Sequence, residues 1–227
     1  YAFAILRPTH LWFWNDWPTE RSSFAVALAC LLGWVLNGLG NWSPLRAVWL
    51  PLLGMFIYLA SGAFTWQIAI NRELAWDFLY PQLTVGLMML VAITLVRGEK
   101  NIRAYTWIVA LSLGYLAYNF NMQYRDNPIY LWQRGFGGID NNGVAMVMVM
   151  GVPLAFFLGI NDRRWWVRLT CFFICAALCH VVLFSFSRGG QLGLCFVGFL
   201  IFLVALFKLP NKGFTILVAC IALAIVL

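Results

Sequence analysis

Residues 135–190 read GFGGIDNNGVAMVMVMGVPLAFFLGINDRRWWVRLTCFFICAALCHVVLFSFSRGG, and this stretch decides the fold. Two apolar segments, joined by the basic turn NDRR, lie between a polar turn that ends in DNNG and a second polar turn, SFSRGG. Each apolar segment is close to the roughly 17 to 25 residues with which a helix crosses a bilayer. The chain is therefore predicted to cross and return, which places both polar turns on one face of the membrane.

The composition of the whole chain also indicates a membrane protein. Of its 227 residues, 63% are hydrophobic and 10% are charged, whereas soluble domains carry about 25% charged residues. Helices satisfy their own backbone hydrogen bonds in lipid, and the unbroken apolar run 194–204 lacks the alternation of a membrane strand. We predict an all-α fold, a polytopic integral membrane helical bundle.

The apolar runs predict about eight transmembrane helices in a single transmembrane domain, residues 1–227. The predicted spans are 24–39, 47–64, 79–96, 104–121, 143–160, 167–186, 191–208 and 214–227. The tryptophan-rich segment 12–18 is expected at the membrane interface, and the mixed segment 65–78 is compatible with a short interfacial helix. Pro81 and Pro153 are expected in the first turns of their spans or a little deeper, where proline is best tolerated.

The distribution of charge predicts the orientation. If the spans alternate, nine basic and two acidic residues lie on one side, and six basic and six acidic residues lie on the other. The positive-inside rule makes the first side cytoplasmic. The basic residues on that side are Arg46, Arg97, Lys100, Arg103, Arg163, Arg164, Arg168, Lys208 and Lys212. The basic character is a topology signal, and no clustered basic surface for nucleic acid is seen.

The loop 119–142, on the predicted outer face, holds the first group of candidate ligand-binding residues. Its glycines let backbone N–H groups approach a ligand, and its arginines suit phosphate or sugar hydroxyls. The Asp-Asn-Asn run before the next span exceeds what one helix cap needs. The alternative is a solvated turn with an ordinary cap and interfacial aromatic residues. The candidates are Arg125, Arg134, Asp140, Asn141 and Asn142.

The second group surrounds Arg188, which stands between two apolar spans with almost no loop around it. A guanidinium there is costly unless it snorkels or has a partner, and its planar fork fits two phosphate oxygens. Ser187 and Gly189 flank it. Snorkelling to lipid headgroups is the alternative. His180 is either a proton carrier or, as we favour, a partner in a hydrogen bond between helices.

The stripe formed by Cys171, Cys175 and Cys179 lies next to His180 and is compatible either with metal binding or with ordinary packing. We favour packing, because no carboxylate neighbours these cysteines. Neither paired carboxylates nor a nucleophile with a base are found. The catalytic residues are therefore unknown, and no metal or cofactor is expected.

Two motifs resemble those of the O-antigen ligase and polymerase superfamily. The first is RGFG followed by DNNGVA at the opening of a span, and the second is FSRGGQLG about 45 residues later. Together with the early Leu6-Arg7-Pro8 and the aromatic stretch that follows, they are most similar to the O-glycosylation ligases that accompany exosortase systems. The resemblance implies a GT-C-like multi-helix membrane glycosyltransferase.

Its implied activity is transfer of an oligosaccharide from undecaprenyl diphosphate to an acceptor on the periplasmic face of the bacterial inner membrane. In that family the arginine of the Ser-Arg-Gly motif contributes to binding the diphosphate, a role that falls to Arg188. The family's catalytic histidine belongs to a large periplasmic loop, and neither His10 nor His180 matches its place. Because the chain starts at Tyr1 and stops within an apolar run, we expect it to end before that loop.

Two readings from other classes stay open. A non-catalytic membrane subunit of a larger complex would explain the 12 tryptophans and the expected lack of the loop. A small-solute transporter is less favoured, because no inverted repeat is visible. The expected partners are a lipid-linked glycan donor, membrane lipids and membrane proteins.

Overall fold

The computed structural model describes residues 5–6 and 22–208, and these residues are helical apart from turns and one isolated β-bridge. A 3₁₀ turn, Ser43–Arg46, separates the first two helices. The α-helices from Ser22 onward are α1 Ser22–Leu36, α2 Trp49–Ile68, α3 Arg72–Leu95, α4 Gly98–Asp126, α5 Tyr130–Arg134, α6 Asn141–Asn161, α7 Trp165–Phe184 and α8 Arg188–Lys208.

A helix lies at each of the first seven predicted spans. The agreement is closest for α6 and α7, which match the predictions 143–160 and 167–186 to within two residues at each end. The differences are largest at α3, which begins at Arg72 rather than at 79, and at α4, which extends beyond 104–121 in both directions. The predicted span 214–227 and the tryptophan-rich segment 12–18 lie outside the described residues.

Four of these helices, α2, α3, α6 and α7, are long and apolar enough to cross a membrane. Residues Phe24–Leu36 of α1 and Arg188–Val204 of α8 form shorter apolar helices. Tyrosine and asparagine residues make α4 less apolar, although it is the longest of the eight. The described residues therefore form the helices that the composition predicts, and four of these helices are long and apolar enough to span a membrane.

The interfacial helix considered for residues 65–78 is absent from the described structure. Instead α2 continues to Ile68, and α3 begins at Arg72. The reason is a helix cap, because the side chain of Asn71 accepts a hydrogen bond from the N–H of Leu74 at 3.0 Å and starts α3 early. Pro81 consequently lies inside α3, beyond its first turns, and Pro153 likewise lies inside α6.

The chain divides into two compact units, of which one comprises Asp16–Tyr105. In this unit α2 packs against α3. The indole Nε1 of Trp34, on α1, donates a hydrogen bond to the buried hydroxyl of Thr94, on α3, at 2.9 Å. Polar side chains that bond across helices hold such bundles together in lipid, where burial of apolar surface contributes little.

The other unit comprises Tyr1–Asn15 and Thr106–Leu227, and it contains both polar turns. Helix α6 lies at its centre and packs mainly against α7, but also against α8. Its core is formed by apolar residues of α4, α5, α6 and α7. The buried members are Leu113, Leu116, Ala117, Phe120, Leu131, Val144, Met148, Val149, Val152, Ala155, Ile174, Leu178, Val181, Val182 and Phe184.

Candidate functional site

The glycine-rich stretch before α6 forms a tight hairpin turn. Gly137 and Gly138, at its centre, have φ angles of +58° and +84°, as a type I′ turn requires at both central positions. The backbone N–H of Phe136 donates to the carbonyl of Ile139 at 2.9 Å, and the N–H of Ile139 donates back at 3.1 Å. A side chain at Gly135 would place its Cβ 2.0 Å from the Ile139 carbonyl oxygen. The geometry of the hairpin turn therefore explains why glycine occupies these positions, without a bound ligand.

Asp140 caps α6. Its carboxylate accepts a hydrogen bond from the N–H of Gly143 at 2.8 Å and another from the side-chain amide of Asn142 at 3.0 Å. The bond from the Gly143 N–H, followed by that from Asn142, lowers the pKa of Asp140 below its ordinary value of 3.8. The carboxylate is thus ionised at neutral pH and stabilises the positive end of the helix.

The turn between α7 and α8 is held by two buried serines. The hydroxyl of Ser187 accepts a hydrogen bond from the N–H of Gly190 at 3.0 Å and so caps α8. The hydroxyl of Ser185 donates to the carbonyl of Val182 at 2.7 Å. Between them, Phe186 has φ +56° and an exposed ring. A left-handed phenylalanine is strained, because its Cβ crowds the backbone.

A direct hydrogen bond joins the two polar turns. The side-chain amide of Asn141 donates to the carbonyl of Ser185 at 2.8 Å. Helices α6 and α8 also approach closely, since a Cβ at Gly190 would lie 2.5 Å from that of Ala145. We call residues 140–143 together with residues 185–190 the paired-turn site. The sequence predicts the two turns on one face, and the structure places them in contact.

Arg188 is the first residue of α8, and its side chain is exposed. Within the described part of the chain it forms no ion pair. Gly189 is also exposed, and a Cβ added there would meet no atom within 4 Å. Because Ser187 caps only the Gly190 N–H, the N–H groups of Arg188 and Gly189 have no intrahelical acceptor. A guanidinium and two backbone donors thus lie together at this end of α8.

The other two predicted arginines are exposed and already have neighbours. Arg125, at the end of α4, lies 3.7 Å from the carboxylate of Asp126. Arg134, at the end of α5, lies over the ring of Tyr130, 5.9 Å from its centroid. Exposed contacts of this kind are weak. Both arginines belong to the same compact unit as the paired-turn site, but among the described residues no ion pair joins them to it.

Sequence reasoning missed the pair formed by Asn121, on α4, and His180, on α7. The amide of Asn121 donates to the carbonyls of Ala117 and Ala177 at 2.6 and 3.2 Å. Its oxygen therefore faces Nδ1 of His180, with which it forms a hydrogen bond. Nδ1 then donates in this bond, because an amide oxygen can only accept. The predicted bond between helices at His180 is confirmed, although its partner was not foreseen.

Two other missed groups lie close by. Ser185 supplies the carbonyl that joins the turns, and its only sequence signal is the Ser-Phe-Ser pattern. The rings of Tyr124, on α4, and Phe184, on α7, stack at 4.0 Å and bring the ends of these helices together. No group of three or more His, Cys, Asp or Glu side chains suited to a metal is found in residues 5–6 and 22–208.

Comparisons of this chain with protein-family models, with curated proteins and with solved structures gave no match.

Proposed function

We propose that this chain is the donor-binding membrane part of a glycosyltransferase similar to O-antigen ligases. In this proposal Arg188 binds the diphosphate of an isoprenoid-linked oligosaccharide at the periplasmic face of a bacterial inner membrane. The observation that carries the proposal is the hydrogen bond from Asn141 to Ser185. It fixes the two motif-bearing turns against each other and leaves the guanidinium of Arg188 exposed beside them.

The electrostatics of the paired-turn site favour an anion. Helices α6 and α8 both begin there, and each helix N-terminus carries a positive partial charge. Arg188 adds a full charge and a planar fork that fits two phosphate oxygens. Asp140 opposes these charges, because its carboxylate stays ionised while Gly143 and Asn142 donate hydrogen bonds to it.

An apolar cleft offers space for part of the lipid tail. It has a volume of about 160 Å³ and lies between α4, α6 and the hairpin turn. A dry apolar cavity of about 150 Å³ accommodates a benzene molecule, so this one has room for roughly one isoprene unit. The residues that line it are Ile5, Leu116, Phe120, Phe136, Ile139, Val144, Val147 and Met148.

The test is donor binding by the full protein in detergent or nanodiscs. The probe is an isoprenoid diphosphate that carries a short glycan. Loss of a charge-assisted hydrogen bond to phosphate costs about 1.5–3 kcal/mol, so Arg188→Ala should weaken binding roughly 10- to 150-fold, and Arg188→Lys should retain part of the affinity. Arg163→Ala is the matched control, because Arg163 is an exposed arginine in the turn between α6 and α7. Equal affinities of the Arg188→Ala and Arg163→Ala proteins would contradict the proposal.

A second candidate function is that of a non-catalytic subunit in a larger membrane complex. It is favoured because the motif residues Asp140, Asn141 and Ser187 form hydrogen bonds within the protein that stabilise helix ends or turns. A structural role therefore accounts for them without a donor. It is also favoured by α2, a 20-residue apolar helix with no buried residue. Copurification of a stoichiometric membrane partner, without donor binding, would support this function over the first.

A further inference from the structure

Arg97 lies in the link between α3 and α4, in the unit that comprises Asp16–Tyr105. Its Nε and Nη2 atoms are buried, and neither has a hydrogen-bond partner within the structure as described. The residue as a whole is only partly buried, so other atoms of Arg97 reach the surface of the protein. Buried donors of a cation without an acceptor are costly, and native structures usually provide a partner for them.

The two unpaired atoms define the shape of that partner. In a guanidinium, the Nε–H bond and one Nη2–H bond lie parallel along the same edge. Two oxygens of a phosphate or a carboxylate match this edge and form two parallel hydrogen bonds. Both nitrogens of this edge are buried, so an anion that binds here has to displace the atoms that cover the edge.

The backbone that leads to Arg97 is held in place. The carbonyl of Thr94, near the end of α3, accepts a hydrogen bond from the N–H of Asn41 at 3.2 Å. Its hydroxyl accepts the bond from Trp34. The N–H of Val96 donates to the carbonyl of Ala92 at 2.8 Å. A side chain on a rigid support loses less freedom when it binds a ligand.

The local charge also favours an anion. Arg97, Lys100 and Arg103 lie within seven residues that contain a single acid, Glu99. The positive end of α4 begins at Gly98, immediately after Arg97. This end of α3 is predicted to face the cytoplasm, at the depth of lipid headgroups. Phosphate is the anionic group common to phospholipid headgroups and to small cytoplasmic ligands.

We propose that Arg97 is a phosphate-binding site at the end of α3, filled by the phosphate of an anionic phospholipid or by a free phosphate ion. The site is separate from the paired-turn site and does not depend on the glycosyltransferase proposal. Its two sources are distinguishable, because a phospholipid binds from the bilayer or micelle whereas inorganic phosphate binds from water.

The first experiment measures lipid binding to the delipidated full protein by native mass spectrometry. The probes are phosphatidylglycerol, a neutral glycolipid with the same acyl chains, and inorganic phosphate. The variants are Arg97→Gln and the matched control Arg46→Gln, because Arg46 is an exposed arginine of the same unit and of the same predicted face. Phosphatidylglycerol should bind the wild type and the Arg46→Gln protein about tenfold more tightly than the Arg97→Gln protein. If phosphatidylglycerol and inorganic phosphate each bind all three proteins with affinities within twofold, the proposal is overturned.

The second experiment measures thermal stability in neutral detergent. Without lipid, Arg97→Met should raise the melting temperature, because it removes an unpaired buried cation. Added phosphatidylglycerol should raise the melting temperature of the wild type but not that of the Arg97→Met protein. A response to inorganic phosphate alone would support the site and assign it to a soluble ligand. A wild type that responds to neither probe would overturn it.

Discussion

Substitution of Gly190 by alanine tests the close contact between α6 and α8. The new Cβ would lie 2.5 Å from the Cβ of Ala145 and 3.2 Å from the hydroxyl of Ser187. Carbon atoms in contact prefer about 3.5–4.0 Å, so the two helices have to separate by roughly 1 Å. The nearest atom belongs to an alanine, which has no flexible end that can move aside. Overpacking of this kind typically costs about 1–3 kcal/mol.

Gly189→Ala is the matched control, because a Cβ at the adjacent position meets no atom within 4 Å. Both substitutions replace glycine in the first turn of the same helix, so the gain in helix propensity, up to about 1 kcal/mol, is shared. The difference in unfolding free energy between the two variants therefore isolates the steric cost. We expect Gly190→Ala to be less stable than Gly189→Ala by about 1–3 kcal/mol.

The assay is reversible unfolding of the purified protein in mixed micelles, followed by tryptophan fluorescence. Ala145→Gly removes the opposing Cβ and should restore most of the stability that Gly190→Ala loses, which gives a coupling energy of about 1–3 kcal/mol in the double-mutant cycle. Equal stability of the two alanine variants would refute the close approach of α6 and α8. A cycle without coupling would show that Ala145 is not the obstacle.

Three further predictions use the same unfolding assay. Asn141→Ala should lower the free energy of unfolding by about 1–3 kcal/mol, because the carbonyl of the buried Ser185 loses its hydrogen-bond donor. Asn142→Ala removes only an exposed bond to Asp140 and should lower it by less. Equal losses in the two variants would contradict the role of Asn141. Phe186→Gly should raise the free energy of unfolding by up to about 1 kcal/mol, because glycine adopts the left-handed conformation without strain. A lower free energy of unfolding would instead indicate that the ring of Phe186 packs against the protein. The folded state lowers the pKa of Asp140. The stabilisation by Asp140 is therefore present above its ordinary pKa of 3.8 and is lost as the pH falls through its pKa in the folded state. Asp140→Asn should remove this contribution to the pH dependence of the unfolding free energy. An acid unfolding profile that Asp140→Asn leaves unchanged would contradict this role of Asp140.

The helices could be predicted from the sequence because lipid restricts the alternatives. A chain in a bilayer has to satisfy its backbone hydrogen bonds internally, so an apolar run of sufficient length becomes a helix. The basic turn NDRR and the glycine-bearing turns mark the ends of α6 and α7, which the prediction placed to within two residues. The end of α2 and the start of α3 were less visible, because they depend on the cap at Asn71.

The geometry of the paired-turn site was only partly predictable. The return of the chain across the membrane implies that the two turns share a face, but it does not say that Asn141 bonds to the carbonyl of Ser185. That contact depends on how far α6 and α8 can approach, which the small residues Ala145 and Gly190 decide. The hydrogen bond between Asn121 and His180 also depends on how two helices pack, and its members are 59 residues apart in the sequence. The sequence pattern therefore did not reveal it.

The residues of the paired-turn site fall into two groups, those that hold the turns by hydrogen bonds and those left to bind a ligand. Asp140, Asn141 and Ser187 use part of their hydrogen-bonding capacity on other groups of the protein, and these bonds fix the positions of the two turns. Arg188 and Gly189 make no such bonds and are exposed. Affinity for a phosphate should therefore depend on Arg188 and on the free N–H groups beside it. Substitutions in the first group should act through stability and through the position of Arg188. Measured together, donor binding and unfolding would separate the two groups, since a change at Arg188 should lower affinity at nearly constant stability.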